Sequence, residues 1–140
     1  EGGNRVAYCI EGPFTLLSAL MPMSKLFSSL RKPQGQALLN SAAQWIIQYA
    51  AMAVENGAVM LSFADPIATA DLLGEKMFVQ TYFPLCRKII ETIQQQNPQT
   101  PVHLCGKLTQ SMLDMNLCSI EALPAVESCY ATIADSRPRV

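Results

Sequence analysis

Charged residues are scarce in this sequence, and they nowhere form a basic run. Only 15% of the 140 residues are charged, against 50% that are hydrophobic, and the formal net charge is −1. A composition this apolar excludes a disordered segment or a charged tail and provides the material for a folded core. Without a basic patch there is no reason to expect a nucleic-acid partner.

Long hydrophobic runs are also absent. No apolar stretch reaches the ~18 residues that a membrane span needs, and residues 1–5 lack the apolar centre of a signal peptide. The five cysteines are an odd number at irregular spacing, which favours free thiols over a disulfide framework. We therefore expect a cytoplasmic protein without a membrane partner.

Apolar runs and helical patterns alternate along the chain. Turn-bounded runs rich in apolar residues predict strands at residues 6–10, 58–63, 101–105 and 119–122. Apolar residues at helical spacing predict helices at residues 14–21, 36–56, 75–96, 109–115 and 126–134, with Pro22 interrupting the first and Pro84 kinking or splitting the third. The buried face of the second helix is predicted to comprise Leu38, Leu39, Ala42, Ile46, Tyr49, Ala50 and Ala53, and Trp45 is predicted to lie in the core rather than to line a pocket.

This alternation indicates an α/β fold. The intervals between strands are long enough for crossover helices, and right-handed crossovers give a sheet of parallel strands. About four β/α units cannot close a (β/α)8 TIM barrel, which requires roughly 250 residues. We therefore predict a partial (β/α)8 barrel that forms a single domain over residues 1–140. It is either a piece of a larger protein or a half-barrel that covers its open edges by association, for example as a homo-oligomer.

The run PVHLCG at residues 101–106 is predicted to be a short buried strand that ends in a glycine turn. Because side chains alternate along a strand, His103 and Cys105 point to the same face. Both lie at the carboxyl end of the strand, where α/β folds place their chemistry. Nitrogen and sulfur ligands suit zinc, so a metal site is one interpretation. The other is a satisfied core histidine beside a small buried cysteine.

Three short motifs together resemble the uroporphyrinogen decarboxylase superfamily. They are EGPFTL at residues 11–16, ADP at residues 64–66 and HLCG at residues 103–106, with the stretch 78–84 between the last two. The superfamily contains the decarboxylases of haem synthesis and zinc-dependent methyltransferases that take a methyl group from a methylated corrinoid protein. The resemblance implies a (β/α)8 barrel, of which this chain looks like a middle portion.

Two details of the sequence, the H-x-C pair and the residue at position 19, resemble the methyltransferase branch of the superfamily. Its members bind zinc through the histidine and cysteine of H-x-C, which match His103 and Cys105, and through a second cysteine on a later strand. The decarboxylases lack this pair and have a catalytic tyrosine at the position of Ala19. The resemblance places the third zinc ligand beyond Val140. Within this chain, only Cys9, near the end of the first strand, is a geometrically reasonable substitute.

The resemblance implies zinc-dependent methyl transfer from a methylated corrinoid protein to a thiol or folate acceptor, with the fragment alone inactive. Metal-free decarboxylation of uroporphyrinogen and a catalytically inactive half-barrel are the alternatives. Asp65 is predicted to orient the second nitrogen of the histidine ligand or to contact substrate, with a helix cap or loop hydrogen bond equally open. Tyr8 is predicted to line the barrel mouth as a second substrate contact.

Overall fold

Three parallel strands form the centre of the computed structural model, which describes residues 5–104 and 106–117. The strands β1 (Val6–Glu11), β2 (Ala58–Ala64) and β3 (Val102–Leu104) are hydrogen-bonded in the order β1-β2-β3. Both strand pairs are parallel, as the predicted crossovers require. The predicted strand at residues 119–122 and helix at residues 126–134 lie outside the described residues.

Helices connect and cover these strands. They are α1 (Pro13–Ser18), α2 (Met23–Ser29), α3 (Pro33–Glu55), α4 (Ala70–Leu73), α5 (Glu75–Met77), α6 (Phe83–Gln96) and α7 (Gly106–Asp114). A π-helical turn, Phe78–Tyr82, joins α5 to α6. No helix in the described part of the chain is both long enough and apolar enough to cross a membrane.

Prolines mark the helix starts, and they explain where the predicted boundaries differ from the structure. Pro33 occupies the first turn of α3, so this helix begins before the predicted residue 36. Proline has no N–H to lose at that position and its fixed φ suits a helix. The sequence does not predict α2, which begins directly after Pro22. Pro84 likewise lies in the first turn of α6, where the predicted helix 75–96 is split as expected.

The core lies between the sheet and helices α3 and α6. Alternate strand residues are buried on this side: Ile10, Leu61, Phe63, Val102 and Leu104. From α3, the predicted residues Leu39, Ala42, Ile46, Ala50 and Ala53 join them, as do Ile89 and Ile93 of α6. The backbone groups of these crossover helices are satisfied internally, so their apolar faces are free to cover the sheet.

Part of the predicted core is instead on the surface. Trp45 is 57% exposed, so the expectation that it lies in the core is wrong, and Leu38 and Tyr49 are exposed as well. The apolar surface of α3 is wider than the contact it makes with β1, β2 and α6. Periodicity identifies the apolar side of a helix, but the neighbouring elements decide how much of that side is covered.

Candidate functional site

A thiol, a hydroxyl and an imidazole form a row across the three strands. Cys9 of β1 is in register with Ser62 of β2, and Ser62 is in register with His103 of β3. Their strand neighbours on either side belong to the buried core, so the row lies on the opposite face of the sheet from α3 and α6. Cys9 is exposed, while Ser62 and His103 are partly buried.

The imidazole of His103 has an unusual environment. Its Nδ1 atom is buried and has no hydrogen-bond partner among the described residues. Burial lowers the pKa of His103, which favours the neutral imidazole at neutral pH. A satisfied core histidine would not leave this nitrogen unpaired, because an unmet buried polar atom is energetically unfavourable. The nitrogen and its neutral ring fit the requirements of a zinc ligand.

The second predicted ligand, Cys105, lies outside the described residues, so the metal pair stays a prediction. Cys9, the alternative third ligand, shares the row with His103 but lies two strands away, which places their Cα atoms about 10 Å apart. In the ranges 5–104 and 106–117, no group of three or more histidine, cysteine, aspartate or glutamate side chains is arranged to hold a metal.

Asp65 directly follows β2 and accepts hydrogen bonds from residues at the start of α1. Its Oδ1 accepts hydrogen bonds from the Thr15 backbone N–H at 2.8 Å and the Thr15 hydroxyl at 2.6 Å. Its Oδ2 accepts one from the Phe14 N–H at 3.1 Å. The side chain is 1% exposed and caps a helix about fifty residues earlier in the chain. These hydrogen bonds correspond to the helix cap, which is one of the roles predicted for Asp65. None of the three bonds involves His103.

Gly12 explains part of the EGPFTL motif. Its N–H donates a 2.8 Å hydrogen bond to the carbonyl of Ala64. A Cβ atom added here would overlap the carboxylate and Cβ of Asp65. The absence of a side chain at residue 12 therefore lets the loops that follow β1 and β2 come together at the carboxyl end of the sheet.

Asp65, Tyr82 and Cys86 form a buried polar cluster. Burial raises the pKa of Asp65, and it outweighs the opposing effect of the hydrogen bonds from Thr15 and Phe14. The Tyr82 hydroxyl, at the end of the π-helical turn, interacts electrostatically with Asp65 and Cys86 but makes no hydrogen bond of normal geometry with any described residue. Burial raises the pKa of the Cys86 thiol to about 12, so it remains protonated.

Sequence reasoning missed this cluster. Tyr82 and Cys86 are both buried and lie four residues apart, at the end of the π-helical turn and in the first turn of α6. The available signal was that the EGPFTL and ADP motifs each follow a predicted strand. In a parallel sheet this position brings the loops after the two strands together. Tyr8, the other predicted substrate contact, packs against the core on the face opposite His103. The geometry therefore does not bring Tyr8 and His103 together.

Comparisons with known proteins agree with this architecture. A family model described as uroporphyrinogen decarboxylase (URO-D) matches residues 5–131. The methylcobamide:CoM methyltransferase MtaA of Methanosarcina barkeri is 32% identical over 130 residues, which cover 91% of this chain and 37% of that protein. The methylcobamide:CoM methyltransferase MtbA of Methanosarcina mazei is 31% identical over 87 residues, covering 62% of this chain and 26% of that protein.

A solved structure, a methyltransferase from Methanosarcina mazei, superposes with a TM-score of 0.62 at 30% sequence identity. The match covers 79% of this chain and 33% of that chain. The present chain thus spans about a third of the length of its relatives, between 26% and 37%. From its parallel α/β sheet and the family match over residues 5–131, the chain belongs to the uroporphyrinogen decarboxylase family and represents part of a (β/α)8 barrel.

Proposed function

We propose that this chain is part of a zinc-dependent methyltransferase that takes a methyl group from a methylated corrinoid protein and transfers it to a thiol. The buried Nδ1 of His103, which has no hydrogen-bond partner in the part of the chain that the structure describes, is the observation that carries the proposal. The H-x-C spacing supports it, because side-chain alternation along a strand predicts that Cys105 shares a face with His103. The relatives named for methylcobamide and CoM favour a thiol over a folate acceptor.

His103 and Cys105 would hold the metal as a neutral imidazole and a thiolate, with a further ligand from outside the described residues. Zinc bound there would make a coordinated acceptor thiol a thiolate at neutral pH. A methylated corrinoid protein would supply the methyl group, and the acceptor thiol held at His103 and Cys105 would give up its proton as it is methylated. The corrinoid supplies the cobalt chemistry, and the protein supplies position and charge.

The described side chains have two tasks in this scheme. His103 stays neutral because burial lowers its pKa, so a proton does not compete for its lone pair near neutral pH. Asp65 fixes the Gly12–Thr15 segment at the carboxyl end of β1, the same end of the sheet that carries the ADP and HLCG motifs. We therefore assign Asp65 a role in positioning this loop, in place of a direct bond to the histidine.

Zinc affinity tests the proposal. The purified chain is titrated with zinc in competition with a chromophoric chelator, beside His103→Ala, Cys105→Ser and the matched control Cys9→Ser. Loss of either proposed ligand should weaken binding by more than the ~10–100-fold that outer partners of a metal ligand cost. Cys9→Ser should bind like the parent chain. Equal affinity in the parent chain and His103→Ala would contradict the proposal.

Decarboxylation of uroporphyrinogen is the second candidate, because the matching family model carries that description. Ala19 occupies the position where the sequence resemblance expects a decarboxylase tyrosine. Turnover of uroporphyrinogen by metal-stripped protein carrying the complete barrel would favour decarboxylation. Methyl transfer that requires zinc would favour the first candidate.

A further inference from the structure

A single carboxylate lies on the three described strands. β1, β2 and β3 together contain no aspartate, lysine or arginine, and their one glutamate is Glu11, the last residue of β1. Its neighbour Ile10 is buried in the core beneath the helices, so Glu11 points to the opposite face of the sheet. Because the helices of a (β/α)8 barrel surround its strands, that opposite face is the interior of the barrel. The interior face also carries His103.

The strand register places Glu11 one row nearer the carboxyl end of the sheet than His103. Glu11 is in register with Ala64, whereas His103 is in register with Ser62, two residues earlier on β2. Continuing the register of β2 and β3 by two residues predicts that Ala64 lies level with Cys105. The register therefore predicts a row of Glu11, Ala64 and Cys105 at the mouth of the barrel. This row follows from the parallel pairing of the described strands and is the same in a closed barrel.

The residue between Glu11 and the predicted metal ligands is small. Neighbouring strands lie ~4.8 Å apart, so the Cα atoms of Glu11 and Cys105 are expected about 10 Å apart. Ala64, which lies between them, extends only a methyl group into the barrel. The space above Ala64 is therefore open to a small ligand that contacts the glutamate on one side and the metal ligands on the other.

The backbone at Glu11 is fixed, while its carboxylate is uncommitted. The N–H of the next residue, Gly12, donates a 2.8 Å hydrogen bond to the carbonyl of Ala64. Asp65 fixes the segment that follows by capping α1. Within residues 5–104 and 106–117, the Glu11 side chain takes part in no hydrogen bond or ion pair. A group that accepts a proton needs both properties, since it must be positioned and still have a free oxygen.

We propose that Glu11 is a further catalytic residue, which accepts the proton of the acceptor thiol. The S–H bond breaks, an O–H bond forms on the Glu11 carboxylate, and the electron pair stays on the sulfur that is methylated. Because Glu11 ends β1 at the mouth of the barrel, it can then pass the proton to water. The inference rests on the proposed methyl transfer and adds to it the residue that takes up the proton.

The other polar groups near this end of the sheet are poorer proton acceptors. Asp65 is 1% exposed, and both of its oxygens already accept hydrogen bonds from the start of α1. Cys9 shares the face of Glu11 but lies one row further from the mouth, in register with Ser62. His103 is a predicted metal ligand, so its lone pair is engaged when the metal is bound.

The rate of thiol deprotonation tests the proposal without turnover. In protein that carries the complete barrel, cobalt(II) replaces zinc and 2-mercaptoethanol is added by rapid mixing. The near-ultraviolet band of a cobalt-bound thiolate then reports how fast the thiol loses its proton. Glu11→Gln should slow this rise on the order of 100-fold. Glu55→Gln makes the same chemical change at the end of α3 and should behave like the parent. Equal rates in Glu11→Gln and the parent would overturn the inference.

Two further measurements separate a proton acceptor from other roles of Glu11. Glu11→Gln should bind zinc like the parent in the chelator competition; weaker binding would identify a metal ligand and contradict the proposal. Glu11→Asp keeps the charge but withdraws the carboxylate by one methylene group. It should also slow deprotonation, because a base must lie within hydrogen-bond reach of the proton. A parent-like rate in Glu11→Asp would show that the charge alone matters and would exclude the proposed contact.

Methyl transfer distinguishes this inference from the function on which it rests. With zinc bound, the parent protein should methylate 2-mercaptoethanol from methylcobalamin, and Glu11→Gln should lose on the order of 100-fold in kcat. A parent protein that binds zinc but transfers no methyl group would overturn the proposed function and this inference together. An active parent that Glu11→Gln matches in kcat would overturn the inference alone.

Discussion

The hydroxyl of Thr15 donates a 2.6 Å hydrogen bond to Oδ1 of Asp65, fifty residues later in the chain. The Thr15 N–H donates to the same oxygen, and the Phe14 N–H donates to the other. One carboxylate at the end of β2 thus satisfies three donors at the start of the helix that follows β1. The loops after these two strands consequently depend on each other for their position.

Removing the Thr15 hydroxyl should separate its contribution from that of the backbone. Thr15→Val keeps the shape of the side chain but loses a hydrogen bond to a buried carboxylate, and it should lower the free energy of unfolding by about 1.5–3 kcal/mol. Thr15→Ser keeps the hydroxyl and is the matched control, expected near the parent value. Urea denaturation measures both. Equal stability of the valine and serine variants would contradict the assignment.

The glycine at residue 12 should be tested together with Asp65. Gly12→Ala places a methyl group against the Asp65 carboxylate and should cost about 1–3 kcal/mol of stability, as overpacking does. If the contact with Asp65 is the cause, the cost should shrink in an Asp65→Ala background. A double-mutant cycle measures this coupling. Additive costs would place the origin of the effect elsewhere.

The Tyr82 hydroxyl should be dispensable for stability. It is buried and has no hydrogen bond among the described residues. The free energy of removing the hydroxyl from water is therefore a cost that the folded chain carries without a compensating bond. Tyr82→Phe should therefore leave the free energy of unfolding unchanged or raise it by up to about 1 kcal/mol. Tyr82→Leu is the control, since it also removes the edge-to-face contact with Phe14 and should destabilise. A loss of stability in Tyr82→Phe would indicate that the hydroxyl has a partner.

The stability of the chain should depend on pH through Asp65. Its carboxyl pKa is raised above 3.8 in the folded state, mainly by burial. The folded state therefore binds the proton more tightly than the unfolded state. The stabilisation is fully present below pH 3.8 and is lost as the pH rises through the raised pKa. Asp65→Asn cannot titrate, so its stability should improve relative to the parent with rising pH in urea titrations. Parallel profiles would contradict the raised pKa.

Nuclear magnetic resonance can follow His103 directly, because it is the one histidine in the sequence. Burial lowers its pKa from the usual 6.5, so its ring signals should titrate with a midpoint below that value. The corresponding stabilisation is present above pH 6.5 and is lost as the pH falls through the lowered pKa. A titration midpoint at or above 6.5 would contradict the buried environment.

The fold can be predicted from the sequence better than the contacts around the candidate site. Alternating apolar runs predict all three described strands, since strands buried on one side and linked by long crossovers leave a strong pattern. Trp45 shows the limit, because its exposure depends on which element packs beside α3. Asp65 shows another limit, since an acidic residue after a strand has several possible partners. Only the folded chain shows that Thr15 and Phe14 are those partners.

The parallel order of the sheet also governs how this chain can assemble during synthesis. Val6, at the start of β1, is in register with Ala58, and in the sheet of residues 5–104 no strand pairing joins residues that are close in sequence. A ribosome must therefore complete the whole of α3 before β1 can pair with β2. Such distant pairing is slow, and until it is made, the edge of β1 that pairs with β2 and the side of α3 that packs on the sheet remain open to chaperones and to neighbouring nascent chains.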